Sequence, residues 1–169
     1  MRNAKDVFKG KLLSLFTKRT RLPNGYVARL EVIRHPGAAL IVPFLARDKI
    51  IILRQYRPVI GSYLYELPAG TLDRAESHLS CAGREIVEET GFQAAKFTKI
   101  GVIYPAPGYT TEKIVIYKAE KLKKVKRARE KDEVIENKIL NKKDAARLFK
   151  GGRIVDAKTI CGLALVGWL

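Results

Sequence analysis

Apolar residues along this chain gather in short alternating or continuous runs split by turn signals, with helical spacing in three places. Leu12 to Arg21 and Tyr26 to His35 read as two extended segments around Pro23-Asn24-Gly25, where Asn-Gly favours a tight turn. Ala38 to Leu45 and Lys49 to Tyr56 predict a second hairpin around Ala46-Arg47-Asp48. Ala95 to Tyr104 and Lys113 to Ala119 are strand-like, and Val134 to Leu140 predicts one more strand. Leu79, Ala82, Ile86 and Val87 mark a helix from about Ser77 to Thr90, with Gly91 placed to end it in a left-handed conformation. Asn141 to Lys150 is a second helix, apolar at Ala145, Ala146, Leu148 and Phe149 and stopped by Gly151-Gly152. Asp156 can cap a last helix running to about Val166. No repeat or linker interrupts the pattern. It predicts one α+β domain over residues 1–169, with mixed β-sheets flanked by α-helices.

Composition narrows the class. A chain of 169 residues with 47% apolar and 30% charged positions is globular and long enough to bury a core. Its longest apolar runs, Ile50 to Leu53 and Ile160 to Leu169, are too short or too interrupted to cross a bilayer. The start, Met1 to Asp6, leads into no signal-peptide core. Cys81 and Cys161 form neither a disulfide framework nor a metal-ligand spacing, so buried thiols and a cytoplasmic location are expected. The net charge of +16 is compatible with a solvated basic face, steering of anionic substrates, or nucleic-acid contact. The densest basic run, Lys118 to Lys131, lacks the interleaved aromatics of a nucleic-acid surface. The solvated face is therefore preferred and nucleic acid is the least supported partner.

The chemistry concentrates in Gly70 to Phe92, which read Gly-x5-Glu-x7-Arg-Glu-Ile-x-Glu-Glu-x-Gly-Phe. At average residue usage of roughly 5–7%, matches at Gly70, Glu76, Arg84, Glu85, Glu88, Glu89 and Gly91 arise by chance on the order of 10⁻⁸ per start position. On the predicted helix, Glu85 and Glu89 stand one turn apart with Glu88 close beside them, so three carboxylates crowd one edge. Such crowding is costly unless a positive group neutralises it, and a hard divalent cation such as Mg²⁺ wants oxygen ligands of this kind. A solvated acidic helix face is the plainer reading of clustered Glu, but it does not explain the glycines and Arg84 at fixed spacing. The loop Leu67-Pro68-Ala69-Gly70 can bring backbone carbonyls to the same edge, since Gly admits conformations other residues avoid.

This stretch resembles the Nudix box of Nudix hydrolases. Arg54-Gln55-Tyr56-Arg57, Tyr65 to Gly70, Leu22 to Gly25, His35 to Ala38, Tyr104 to Gly108 and Asp156 to Thr159 together are similar to the ADP-ribose pyrophosphatase subfamily. Pro107, sixteen residues after Gly91, matches the proline that helps separate this subfamily from dinucleoside polyphosphate hydrolases. The resemblance implies the Nudix fold and hydrolysis of ADP-ribose to AMP and ribose 5-phosphate. It implies two or three Mg²⁺ ions, or Mn²⁺, held by Glu85, Glu89 and the Ala69 carbonyl, with Glu88 as an extra ligand. Gly70, Glu76, Arg84 and Gly91 would be structural, Arg84 bracing the carboxylates through ion pairs. Arg57 is the expected phosphate contact because a guanidinium matches phosphate oxygens in a fork, with Arg54 second and Glu66 either touching substrate or bracing the loop. Gly108 belongs with the substrate-binding candidates. Glu133 is the expected general base, with Glu112 as an alternative water-orienting group or ligand and Asp132 and Glu130 behind it. Tyr56 and Tyr65 are expected to pack, and His35 and His78 to have no catalytic role. Residues 1–36 are expected to form an antiparallel β-segment used in a homodimer, and 37–169 the catalytic core.

The alternatives are hydrolysis of another nucleoside diphosphate derivative (a nucleotide sugar, a dinucleoside polyphosphate or NADH) and a non-catalytic module binding nucleotide or nucleic acid. The three intact box carboxylates argue against the last.

Overall fold

The computed structural model describes residues 4–126 and 134–169. The hairpin predicted around Pro23-Asn24-Gly25 forms β2 (Ser14–Arg21) and β3 (Val27–Arg34). Gly25 takes a φ of 86°, and the Asn24 side chain accepts the Tyr26 N–H. A strand not anticipated from sequence, β1 (Ala4–Lys9), pairs antiparallel with β2 to complete a three-stranded sheet. Its apolar positions are too few to carry a periodic signal, and a register shift between Asp6 and Phe8 breaks what alternation there is.

The remaining strands form one seven-stranded sheet of order β10-β5-β4-β9-β8, with β6 against β5 and β7 against β4. They are β4 (Ala38–Ala46), β5 (Lys49–Arg57), β6 (Ser62–Glu66), β7 (Ala69–Thr71), β8 (Phe92–Ile103), β9 (Ile114–Lys124) and β10 (Ile135–Asn141). All pairs are antiparallel except β4 with β9. Strand β4 is central and buried along most of its length, which explains its continuous apolar run. Leu40 and Val42 point to a core with Ile50, Ile52, Leu67, Ile116, Leu163 and Trp168. Ala39 and Ile41 point the other way, to Cys81, Ala82 and Ile86. Helices therefore cover both faces: α1 (His78–Glu85) on one, α2 (Lys142–Lys150) and α3 (Ala157–Leu165) on the other.

The cap expected at Asp156 forms, and Asn141 and Ser77, read from sequence as first residues of their helices, are caps as well. Asn141 and Asp156 accept the N–H groups of Asp144 and Thr159 at the starts of α2 and α3. Ser77 does the same for Ser80 at the start of α1. One difference concerns the predicted helix 77–90, which is α-helical only to Glu85 and continues as a π-helical turn over Ile86–Thr90. Inside this turn the Thr90 hydroxyl bonds to the Ile86 carbonyl, a local side-chain bond that competes with the regular ladder. Gly91 ends the turn at φ 76°, as expected. Such turns recur at functional sites.

Two backbone bonds tie the small sheet to the core: Ile33 N–H to the Tyr109 carbonyl at 2.8 Å and Thr111 N–H to the Ile33 carbonyl at 3.0 Å. The Pro107-Gly108 loop thus docks along β3. No helix among the described residues is long and apolar enough to cross a membrane.

Candidate active site

The site begins where β4 and β5 part. These strands pair only near Phe44 with Ile50 and Ala46 with Lys49. Beyond that, β5 takes β6 as its neighbour and the start of β4 takes β7. Leu67-Pro68 bridges the split, anchored by the Ile41 N–H on the Pro68 carbonyl at 2.8 Å. The loop of the box is therefore held on the sheet itself.

Contrary to the expectation of a special backbone conformation, Gly70 lies outside the left-handed region. Its glycine is required by contact instead. A Cβ on Gly70 would lie 1.6 Å from Oε1 and 1.9 Å from Cδ of Glu85. The Glu85 carboxylate rests directly over the Gly70 backbone, in a cradle that any side chain would fill. Glu89, almost wholly buried, reaches the same loop by accepting the Ala69 N–H on Oε2 at 2.9 Å. Glu85 and Glu89 thus sit against consecutive residues of one loop.

Arg84 organises the remaining acids. Nε and Nη2 bond to the two oxygens of Glu76 at 3.2 and 3.0 Å. Nη1 bonds to Glu85 Oε1 at 2.6 Å and to Glu88 Oε2 at 2.9 Å, and Nη2 also reaches the Thr71 carbonyl. The hydrogen bond to Glu76, then the charge of Glu85, raise the Arg84 pKa well beyond its usual value. The Arg84 hydrogen bond likewise holds Glu76 below the carboxylate range. Among the described residues, no three His, Cys, Asp or Glu side chains stand arranged to hold a metal ion, and the Arg84 guanidinium lies between Glu85 and Glu88. The donor set nonetheless fits a hard cation: carboxylates on one edge, backbone at contact distance, and a glycine cradle that keeps them there. Cys81, buried beneath with Sγ 3.4 Å from the Gly70 carbonyl, has its pKa pushed up to about 12 by burial and by Glu85. It is a packing thiol.

A second charged cluster lies on β5, β6 and α3. Arg57 grips Glu66 with Nε to Oε1 and Nη2 to Oε2, both at 2.7 Å. Lys158 bonds to the same carboxylate and, at 2.7 Å, to Asp156. Glu66 is only 1% exposed. Burial by itself would raise its pKa, but the Arg57 hydrogen bond and Lys158 outweigh it and hold the carboxyl below its ordinary value. The Glu66 hydrogen bond raises the Arg57 pKa, with Glu89 and Asp156 adding to it. Sequence reasoning gave Lys158 no role; nothing in its neighbourhood along the chain signals a partner ninety-two residues away.

The other candidates fall outside these clusters. Arg54 pairs with Glu136 at 3.2 Å and stacks 3.8 Å over the Tyr63 ring. Tyr56 packs edge-on against Tyr63, and Tyr65 against the core. Glu112 stands 3.8 Å from His35 Nε2, and Gly108 faces open space. His35 Nδ1 accepts the Gly37 N–H at 3.0 Å, a turn brace. Glu133, Asp132 and Glu130 lie outside the described residues, as does the end of the basic run beyond Lys126. Within the run, Lys118 is paired with Glu120 and lies over the Phe44 ring.

A family model, the NUDIX domain, matches residues 34–162. The chain belongs to the NUDIX domain family. It is 35% identical over 156 residues to the ADP-ribose pyrophosphatase of Bacillus subtilis (strain 168), covering 91% of this chain and 84% of that protein. It is 34% identical over 161 residues to the ADP-ribose pyrophosphatase of Mycobacterium tuberculosis (strain ATCC 25618 / H37Rv), covering 93% and 77%. A solved structure described as an ADP compounds hydrolase superposes with a TM-score of 0.82 at 25% identity, covering 98% of this chain and 90% of that one. The matched range contains the stretch from Gly70 to Phe92, in which Arg84 bonds to Glu76, Glu85 and Glu88 and Gly70 cradles Glu85.

Proposed function

We propose that this chain hydrolyses the pyrophosphate bond of ADP-ribose, giving AMP and ribose 5-phosphate, with divalent cations at the Nudix box. The observation that carries the reading is the meeting of Glu85 and Glu89 with the Ala69-Gly70 backbone, in a chain 35% identical to an ADP-ribose pyrophosphatase. Bound cations supply the charge that screens pyrophosphate oxygens and readies a water for attack. Glu85, Glu89 and the Ala69 carbonyl would hold them, with Glu88 joining when Arg84 yields its share of the edge. An all-oxygen donor set suits two or three Mg²⁺ ions, with Mn²⁺ as substitute.

Arg57 is the phosphate contact in this reading. Glu66 is its brace, since both carboxylate oxygens already take hydrogen bonds from Arg57 and one also from Lys158. Arg54 keeps a secondary, surface role, and Gly108 leaves room beside the substrate. Glu133 is the general base and Glu112 its alternative. Exposed apolar Val7 and Phe8 on β1, with Leu12 and Leu13 in its connection to β2, support a homodimer that buries these side chains. Two free cysteines support a cytoplasmic enzyme.

The test is ADP-ribose turnover with Mg²⁺, following AMP release in the wild type and in Glu89→Gln. The variant should lose about 10²-fold or more in kcat while keeping its fold. A wild type that leaves ADP-ribose intact but cleaves another nucleoside diphosphate derivative would overturn the substrate and leave the chemistry standing.

A further inference from the structure

The first turn of α3 touches the loop that carries the site. Thr159 is fully buried, and its hydroxyl accepts the Leu67 N–H at 2.8 Å. Asp156 Oδ2 caps the Thr159 N–H at 2.9 Å and so fixes the turn that presents the hydroxyl. One turn further, Gly162 lets the helix backbone press on the same residue: a Cβ there would lie 2.6 Å from Leu67 Cδ1. Leu67, 1% exposed, is thus held by backbone and side chain together. Pro68 follows, its carbonyl tied to the Ile41 N–H. Then comes Ala69, whose N–H holds Glu89. The path from Thr159 to Glu89 runs through two hydrogen bonds and one short stretch of backbone.

That placement has a use beyond packing. The split between β4 and β5 deprives Leu67 of a strand neighbour at its N–H, since β6 ends its pairing at Glu66 and β7 begins at Ala69. A buried N–H left without an acceptor is costly, and among the described residues its acceptor is the Thr159 hydroxyl of α3. We propose that Thr159 is a positioning residue for the metal-bearing loop, acting through Leu67 and Ala69 on Glu89. This rests on the reading of the box as a divalent-cation site.

The test compares Thr159→Val, which keeps shape and removes the acceptor, with Thr159→Ser, which keeps the acceptor and removes a methyl. Mn²⁺ binding is measured by electron paramagnetic resonance without substrate, and kcat and KM for ADP-ribose are measured beside it. In Thr159→Val, Mn²⁺ should bind several-fold more weakly and kcat should fall about tenfold, a modest case of misplaced groups, with KM changing less than about twofold. Thr159→Ser should retain both. Wild-type Mn²⁺ affinity in Thr159→Val, or equal losses in both variants, would overturn the proposal. Should Thr159→Val not fold, Thr159→Ala takes its place with the same expectations. Failure of the wild type on ADP-ribose would count against the substrate alone, because Mn²⁺ binding still decides the role of Thr159.

Discussion

The two charged clusters of this molecule are built from similar ions by opposite means. The Arg84 cluster draws Glu76, Glu85 and Glu88 from within a dozen residues of one guanidinium, on one helix and the loop before it. The Arg57 cluster joins β5, β6 and the start of α3, with Glu66 and Lys158 far apart in the chain. In the first, Arg84 pairs with four carboxylates, those of Asp73, Glu76, Glu85 and Glu88, and Glu89 is buried close by. The second balances two cations, Arg57 and Lys158, with two anions, Glu66 and Asp156, around a carboxylate shut off from water. It needs nothing added, and its worth lies in the orientation it gives Arg57 and the loop.

The largest expected effect separates the clusters by sterics. Gly70→Ala drives a Cβ into the Glu85 carboxylate, so Glu85 must leave its cradle. Activity should fall about 10²-fold, and overpacking should cost about 1–3 kcal/mol. Kinetics and chemical denaturation of the purified variant check this, and near-wild-type kcat would refute the cradle. Next, Glu66→Gln strips the second cluster of its buried anion and leaves Arg57 and Lys158 with one carboxylate between them. Breaking a buried pair this way should cost about 3–5 kcal/mol. Here pH sharpens the contrast. Glu66 has a folded pKa below the ordinary 4.5, so its stabilisation is complete above pH 4.5 and lost as pH falls through the folded value. The gap in urea midpoint between wild type and Glu66→Gln should therefore narrow on acidification below 4.5. A gap that stays constant would mean Glu66 contributes through shape rather than charge. The smallest effect is a gain. Gly83 lies on α1 with open space where a Cβ would stand. Gly83→Ala should raise stability by about 0.4–1 kcal/mol and leave kcat unchanged. A thermal melt tests it, and destabilisation would show that α1 tolerates no added contact beside Arg84.

Legibility in the sequence follows the same divide. The caps at Ser77, Asn141 and Asp156 and the left-handed Gly91 obey local rules, and most strands were visible as apolar runs. Strands β6 and β7 were not. Ser62–Glu66 and Ala69–Thr71 are short, and Pro68 and Gly70 beside them read as loop. They are strands only because the parting of β4 and β5 offers them free edges. The π-helical turn was equally hidden, since the apolar spacing from Leu79 to Val87 fits an ordinary α-helix. The need for glycine at position 70 was foreseen with the wrong cause: its backbone lies outside the left-handed region, and what matters is the carboxylate packed upon it.

Local pattern in the sequence was enough for the box, its family, the central buried hairpin and the acidic edge of Glu85, Glu88 and Glu89. These depend on residues a few positions apart, where spacing alone fixes which side chains share a face. The assembled fold alone makes Lys158 share Glu66 with Arg57, hands the Leu67 N–H to Thr159 and sets the loop across a split in the sheet. Those contacts pair groups brought together by the closing of α3 onto the core. No short-range pattern encodes them, because the free energy that holds them comes from burial and from satisfying polar groups that only the assembled fold removes from water.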